Sequence, residues 1–181
     1  SGTGTYLGGT LGIPALRATF ERLAATYEGA DVDSVRVELD LQEERVIHAC
    51  DKYLRRYDPP GVAVFAGTAY ALFAADTLRR YLDAEILAVG TRNDPPAPPA
   101  TQYPVEKLTG LEQVSRKIAE VSPDLVIGSS FERSVCGDHT FVGIIPPLRG
   151  RVRLARPSLA GTGGTLHFVE EVLNACMDNK A

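Results

Sequence analysis

The chain has 181 residues, 44% of them hydrophobic and 23% charged, enough to bury the core of one compact domain without staples. Its formal net charge of −4 argues against a general nucleic-acid binder, which would be basic. No apolar run approaches the roughly 20 residues of a membrane span. The opening stretch SGTGTYLGGTLG has no basic region and no long apolar segment, so no signal peptide is read there and a cytoplasmic setting is expected. Its abrupt Gly/Thr-rich character suggests a piece of a longer protein. Cys50, Cys136 and Cys176 are odd in number and far apart. With no C-x-x-C pair they read as small core residues in a reducing compartment rather than as disulfides or a zinc site.

Taken in chain order, Ile13, Leu16, Phe20, Leu23 and Tyr27 recur at helical spacing. Val46, Ile47, Cys50, Tyr53, Leu54 and Tyr57 give a second helix, which Asp58-Pro59-Pro60 brings to an end. Between them VRVEL (35–39) reads as a short strand or an extended connection. From residue 61 the pattern changes. GVAVFAG (61–67) is a short continuous apolar run, as expected of a strand buried on both faces. A helix follows with Leu72, Ala75, Leu78 and Leu82 on one side, then a second buried strand, EILAVG (85–90). The segment 92–104 holds five prolines and is expected to be an extended loop. Leu111, Val114, Ile118 and Val121 predict a helix, PDLVIGSS (123–130) a third strand and TFVGIIPP (140–147) a fourth. A closing helix carries Leu166, Val169, Val172, Leu173 and Cys176 inward, preceded by a glycine-rich turn at Gly161, Gly163 and Gly164.

Strands alternating with helices at this spacing predict an α/β fold. It is a Rossmann-like parallel sheet of about four strands flanked by helices, with two extra N-terminal helices. The division expected is a helical segment, 1–60, packing on an α/β domain, 61–181. Ligands of such sheets bind outside the carboxyl ends of the strands. Those ends carry small or turn-forming residues here: Gly67-Thr68, Gly90-Thr91, Gly128-Ser129-Ser130 and Pro146-Pro147. They serve either turn geometry alone or a ligand-facing crevice.

A nucleotide is poorly supported. The first βα turn lacks G-x-G-x-x-G and places Tyr70 nearby, and AGTGGT has no following Lys-Ser or Lys-Thr. A generic anion site at that last helix is physically allowed. Arg149, Arg151, Arg153 and Arg156 form a basic stripe, either a solvated edge or a contact for an anionic cofactor, acidic partner or neighbouring domain. Glu132 and Arg133 read as an exposed ion pair. Cys136 and His139, in VCGDH, are a weak metal signal, and no catalytic constellation emerges.

Several segments in order nevertheless resemble one family. PDLVIGSSFERS, a strand ending in Pro-Pro, R-x-R-L-x-R and then L-A-G-T-G-G before a long helix resemble the C-terminal domain of nitrogenase component 1 subunits. LGIPALRATFERLA and LQEERVIHACDKYL resemble the helices that lead into that domain. The family includes the molybdenum–iron protein chains, the cofactor-assembly scaffold pair, and the dark-operative protochlorophyllide and chlorophyllide reductases.

The resemblance implies one of three similar α/β domains of an oxidoreductase subunit, with metal clusters between domains and subunits. It implies a cavity for a metallocluster or a tetrapyrrole-type substrate, faced by Gly67, Thr68, Gly90, Thr91, Gly128, Ser129, Ser130, Glu132 and Arg133, with Arg151, Arg153 and Gly161 further on. Implied partners are the remaining domains of the subunit, a homologous partner subunit and an ATP-dependent iron–sulfur reductase protein; no nucleic acid and no membrane are expected. Arg151-Val152-Arg153 stands where the molybdenum–iron α chain has a histidine ligand, and the spacing resembles a β-type subunit. The family's cluster-ligating cysteines belong to its N-terminal domain. The 181 residues alone are therefore expected to hold no cofactor and to catalyse nothing. The alternative is a self-sufficient module that binds a small ligand or a nucleotide-linked group.

Overall fold

The computed structural model describes residues 8–29, 31–94, 102–149 and 158–179. Its first element, α1 (Ile13–Thr26), has Pro14 in its opening turn, where a missing N–H costs nothing. The second, α2 (Asp33–Leu54), is the longest helix. It absorbs 35–39, which is neither strand nor extended. Its inward stripe is Leu39, Gln42, Val46, Cys50 and Tyr53, a helical spacing throughout. The Val35–Val37–Leu39 alternation that suggested a strand is accidental, because Val37 is 69% exposed.

The α/β alternation then runs β1 (Gly61–Phe65), α3 (Thr68–Leu82), β2 (Glu85–Thr91), β3 (Val105–Lys107), α4 (Leu111–Val121), β4 (Leu125–Gly128), the single-turn α5 (Ser130–Arg133), β5 (Thr140–Gly143) and α6 (Gly161–Asp178). The sheet has five strands in the order β3-β2-β1-β4-β5, all parallel. The additional strand, β3, follows the proline-rich segment and pairs only with the end of β2. Of that segment, 95–101 lies outside the described residues.

Period-two side-chain alternation makes the sheet a partition. Val62, Val64, Leu125 and Ile127 point into one core with Leu78, Phe168 and Val172 from α3 and α6 and with Leu16, Leu39 and Val46 from α1 and α2. Ala63, Phe65 and Val126 point the other way, onto Val114 and Ile118 of α4 and onto Cys136. The two leading helices thus belong to the main core.

The glycine-rich stretch corrects an expectation. Gly161, Gly163 and Gly164 form the first turn of α6 rather than a turn ahead of it. Gly164 is required by close approach, since a Cβ there would stand 2.2 Å from the Leu159 carbonyl. The entry to α6 is tied to the chain's start by a bridge between Leu11 and Ala160 and by the Gly161 amide donating to the Thr10 carbonyl at 2.8 Å. These glycines therefore seat a helix; they do not line the crevice described below.

Candidate functional site

In the order β3-β2-β1-β4-β5 the direction of winding reverses between β1 and β4, so their following loops diverge and leave a gap at the strand ends. A crevice of about 390 Å³ occupies that gap. It is lined by Ala66 and Gly67 after β1, Gly90 to Asn93 at the end of β2, Ser129, Phe131 and Glu132 after β4, and Ile145 and Pro146 after β5. A larger hollow of about 520 Å³ lies between α1, α3 and Tyr103, away from the strand ends, and offers no comparable convergence of loops.

Glu132 organises the crevice. It is 3% exposed because a short helix starts directly after β4 with a Ser-x-x-Glu capping box, which folds its third residue back onto Ser129. The Ser129 amide donates to Glu132 Oε2 at 2.8 Å, and the Ser129 hydroxyl donates to the same oxygen. From the other side of β1, Arg92 Nη2 donates to Oε1 at 2.8 Å. Burial would raise this carboxyl, but the Ser129 hydroxyl and amide and the Arg92 guanidinium outweigh it and hold Glu132 below the usual carboxylate range. Gly128 makes room for this, since a Cβ there would come within 2.8 Å of the Glu132 Cβ. The expected exposed pair of Glu132 with Arg133 is thus corrected. Glu132 pairs with Arg92, and the Arg133 guanidinium lies 5.3 Å from the Phe141 ring centroid. Neighbouring residues in a single helical turn point in different directions, so adjacency in sequence did not make a pair.

The remaining predicted residues distribute unevenly. Gly67, Gly90, Thr91, Ser129 and Glu132 line the crevice. Buried Thr91 turns its hydroxyl back onto the Asn93 carbonyl at 2.8 Å, which holds the strand-end turn that carries Arg92. Thr68 opens α3, and Ser130 sits under the β5 loop, its amide donating to the Pro147 carbonyl at 2.7 Å. Gly161 is remote, at α6. Arg151 and Arg153 lie outside the described residues. Reading from the sequence missed Arg92, Phe131 and Asn93. Arg92 was legible as the residue immediately past a strand end, but it was absorbed into the proline-rich loop.

A metal cluster finds no ligand set here. No group of three or more His, Cys, Asp or Glu side chains able to hold a metal ion occurs among the described residues. Cys50, Cys136 and Cys176 are buried, and none of them is in a disulfide. Burial pushes the Cys50 thiol up to about 12 and also raises that of Cys136, the reverse of what a thiolate ligand needs. The Cys136 thiol donates to the Arg133 carbonyl at 3.3 Å and packs in the smaller core. His139 lines a separate hollow at the opposite, amino end of the sheet. The crevice thus offers backbone amides, hydroxyls, a guanidinium, an aromatic ring and one carboxylate already held by Ser129 and Arg92, and no cluster of metal ligands among the described residues.

A family model described as "Nitrogenase component 1 type Oxidoreductase" matches residues 4–177. The chain belongs to that family. A solved structure titled "Nitrogenase Cp1 at pH 6.5" superposes with a TM-score of 0.76 at 17% identity, over 96% of this chain and 40% of that one. The chain therefore spans less than half the length of that relative, and at this identity the likeness speaks for the fold. A search of curated proteins returned no match. No described helix is long and apolar enough to cross a membrane.

Proposed function

We propose that the chain is the C-terminal α/β domain of a nitrogenase component 1-like reductase subunit, in which the crevice at the ends of β1, β2, β4 and β5 forms one wall of the ligand cavity. The observation that carries this reading is the buried Glu132, held by Ser129 and by Arg92 at the winding reversal of a family-matched domain. A carboxylate fixed by three donors keeps its neighbours oriented before any ligand arrives. Gly67, Gly90 and Thr91 contribute backbone groups to the same wall. Thr68, Gly128, Ser130 and Arg133 support it from behind; Gly161 stands apart at the start of α6, and Arg151 and Arg153 lie outside the described residues.

In this reading 1–60 is a helical segment on the α/β unit 61–181. Metal bonds to an iron–sulfur or related cluster come from other domains, and the cluster would supply the electron transfer. This wall supplies hydrogen bonds, charge and shape. Electrons arrive from an ATP-dependent iron–sulfur protein docked on the assembly of this subunit with a homologous partner, in the cytoplasm. The test is reconstitution of the full-length protein with its partner subunit and the iron–sulfur protein. ATP-dependent reduction should require all three, and the 181 residues alone should give none. Turnover by the isolated segment, or an assembly without ATP-dependent reduction, contradicts the proposal.

A further inference from the structure

Phe131 is an anomaly in the crevice. Its neighbours Ser129 and Glu132 are each 3% exposed, whereas the Phe131 ring is 41% exposed while lining the cavity. Two guanidinium groups attend that one ring. Arg92 lies 5.6 Å from its centroid, and Arg149 lies 5.9 Å from it. Arg149 is held there from the backbone, because its amide donates to the Ser130 hydroxyl one residue before Phe131.

The two cations differ. Arg92 spends one amino group on Glu132 and keeps its side chain 53% exposed, so its other donors remain available at the mouth. The Arg149 guanidinium meets no carboxylate among the described residues. With Glu132 neutralising one charge, Arg92, Arg149 and Glu132 together leave a single positive charge beside an exposed aromatic face, counted among the described residues. Exposed aromatic surface flanked by oriented guanidinium groups is matched by a flat apolar body bearing an oxyanion. The body stacks on the ring, and the oxyanion takes paired N–H donors.

We propose that the crevice binds such a ligand, a planar apolar group carrying a carboxylate or phosphate, through Phe131, Arg92 and Arg149. This rests on the reading of the crevice as the cavity wall and adds the chemistry of what the wall grips. Phe131 provides the face, Arg149 the free charge, and Arg92, positioned by Glu132, the second donor set.

The test is fluorescence titration of the full-length protein with 1-pyrenecarboxylate and with uncharged 1-pyrenemethanol. The carboxylate should bind about tenfold tighter, the worth of one charged hydrogen bond, and lose that advantage at high salt. Arg149→Gln should remove the preference, and Phe131→Leu should weaken both probes; both side chains are at the surface, and unchanged thermal melts will show that the variants fold. Displacement by AMP but not by inorganic phosphate would uphold the proposal and identify the oxyanion as phosphate. Displacement by neither would uphold it with a carboxylate. Equal binding of the two pyrenes, wild-type binding by both variants, or displacement by inorganic phosphate as effective as by AMP overturns it. Should the reconstituted assembly reduce substrate with ATP while 1-pyrenecarboxylate fails to bind, the ligand chemistry falls and the reading of the domain stands. Should reconstitution fail while the probe binds selectively, the reverse holds.

Discussion

Two carboxylates, Glu43 and Glu132, are bound in similar ways at two places in the molecule and serve different ends. Glu43 sits in the helix layer. It accepts from Tyr81 at 2.6 Å and from Arg17 at 2.9 Å, with Arg80 at 3.4 Å, so it ties α1, α2 and α3 together. Glu132 sits at the crevice and ties the end of β2 to the loop after β4. Both lie below the usual carboxylate range, since burial acts upward but is outweighed by Tyr81, Arg17 and Arg80 in one case and by Ser129 and Arg92 in the other. The difference lies in what surrounds them. Glu43 is 16% exposed, among partners already facing one another across packed helices. Glu132 is 4% exposed at its side chain, while its partner Arg92 reaches out toward an open cavity. One network closes a joint; the other holds a cation at a mouth.

Breaking the comparison should cost most at Glu132. Glu132→Ala removes the acceptor of the buried Ser129 amide and leaves Arg92 without its anchor, so urea unfolding should show a loss of about 3 kcal/mol. Glu43→Ala, in the wetter network, should cost about 1.5 kcal/mol in the same assay. Acid should separate the two more finely. A carboxylate depressed in the folded state contributes fully above its unfolded-state pKa and loses that contribution as pH falls through the folded value. Stability should therefore drop below the ordinary carboxylate range, and Glu132→Gln should flatten that acid limb more than Glu43→Gln does. The smallest effect is expected for Arg92→Gln. Only the Arg92 end of the pair is exposed, but both Ser129 donors to Glu132 remain and the Gln amide can still donate, so the loss should be about 1 kcal/mol, while the pyrene carboxylate preference should fall.

Local pattern made most of the fold legible. Short apolar runs bounded by Gly and Pro, as in GVAVFAG and PDLVIG, read as strands covered on both faces, and the helices between them fix the parallel order. Where the sequence misled, two periods coincided. Val35, Val37 and Leu39 alternate like a strand, yet Leu39 belongs to a stripe that continues to Tyr53 with helical spacing. The strand Val105–Lys107 was hidden because three residues, two of them charged, give no run to detect.

The site was legible only in outline. Strand ends rich in Gly, Ser and Thr marked where the crevice opens. The pairing of Glu132 with Arg92 joins residues 40 apart in sequence and depends on β1 lying between β2 and β4, which no local pattern encodes. The glycines that open the last helix illustrate the converse. A glycine-rich run that suggests a phosphate cradle is explained by the Leu159 backbone pressing on Gly164.

The most direct test of the account is a plug in the crevice that leaves the fold intact. Gly67 lines the cavity in an ordinary extended conformation, φ −62 and ψ 145, and a Cβ there would meet nothing within 4 Å. Gly67→Leu should therefore fold with a stability change below about 1 kcal/mol. The measurement is ATP-dependent turnover of the reconstituted assembly carrying this substitution. Turnover should collapse while thermal stability is kept; turnover at the wild-type rate would contradict a ligand cavity walled by this crevice.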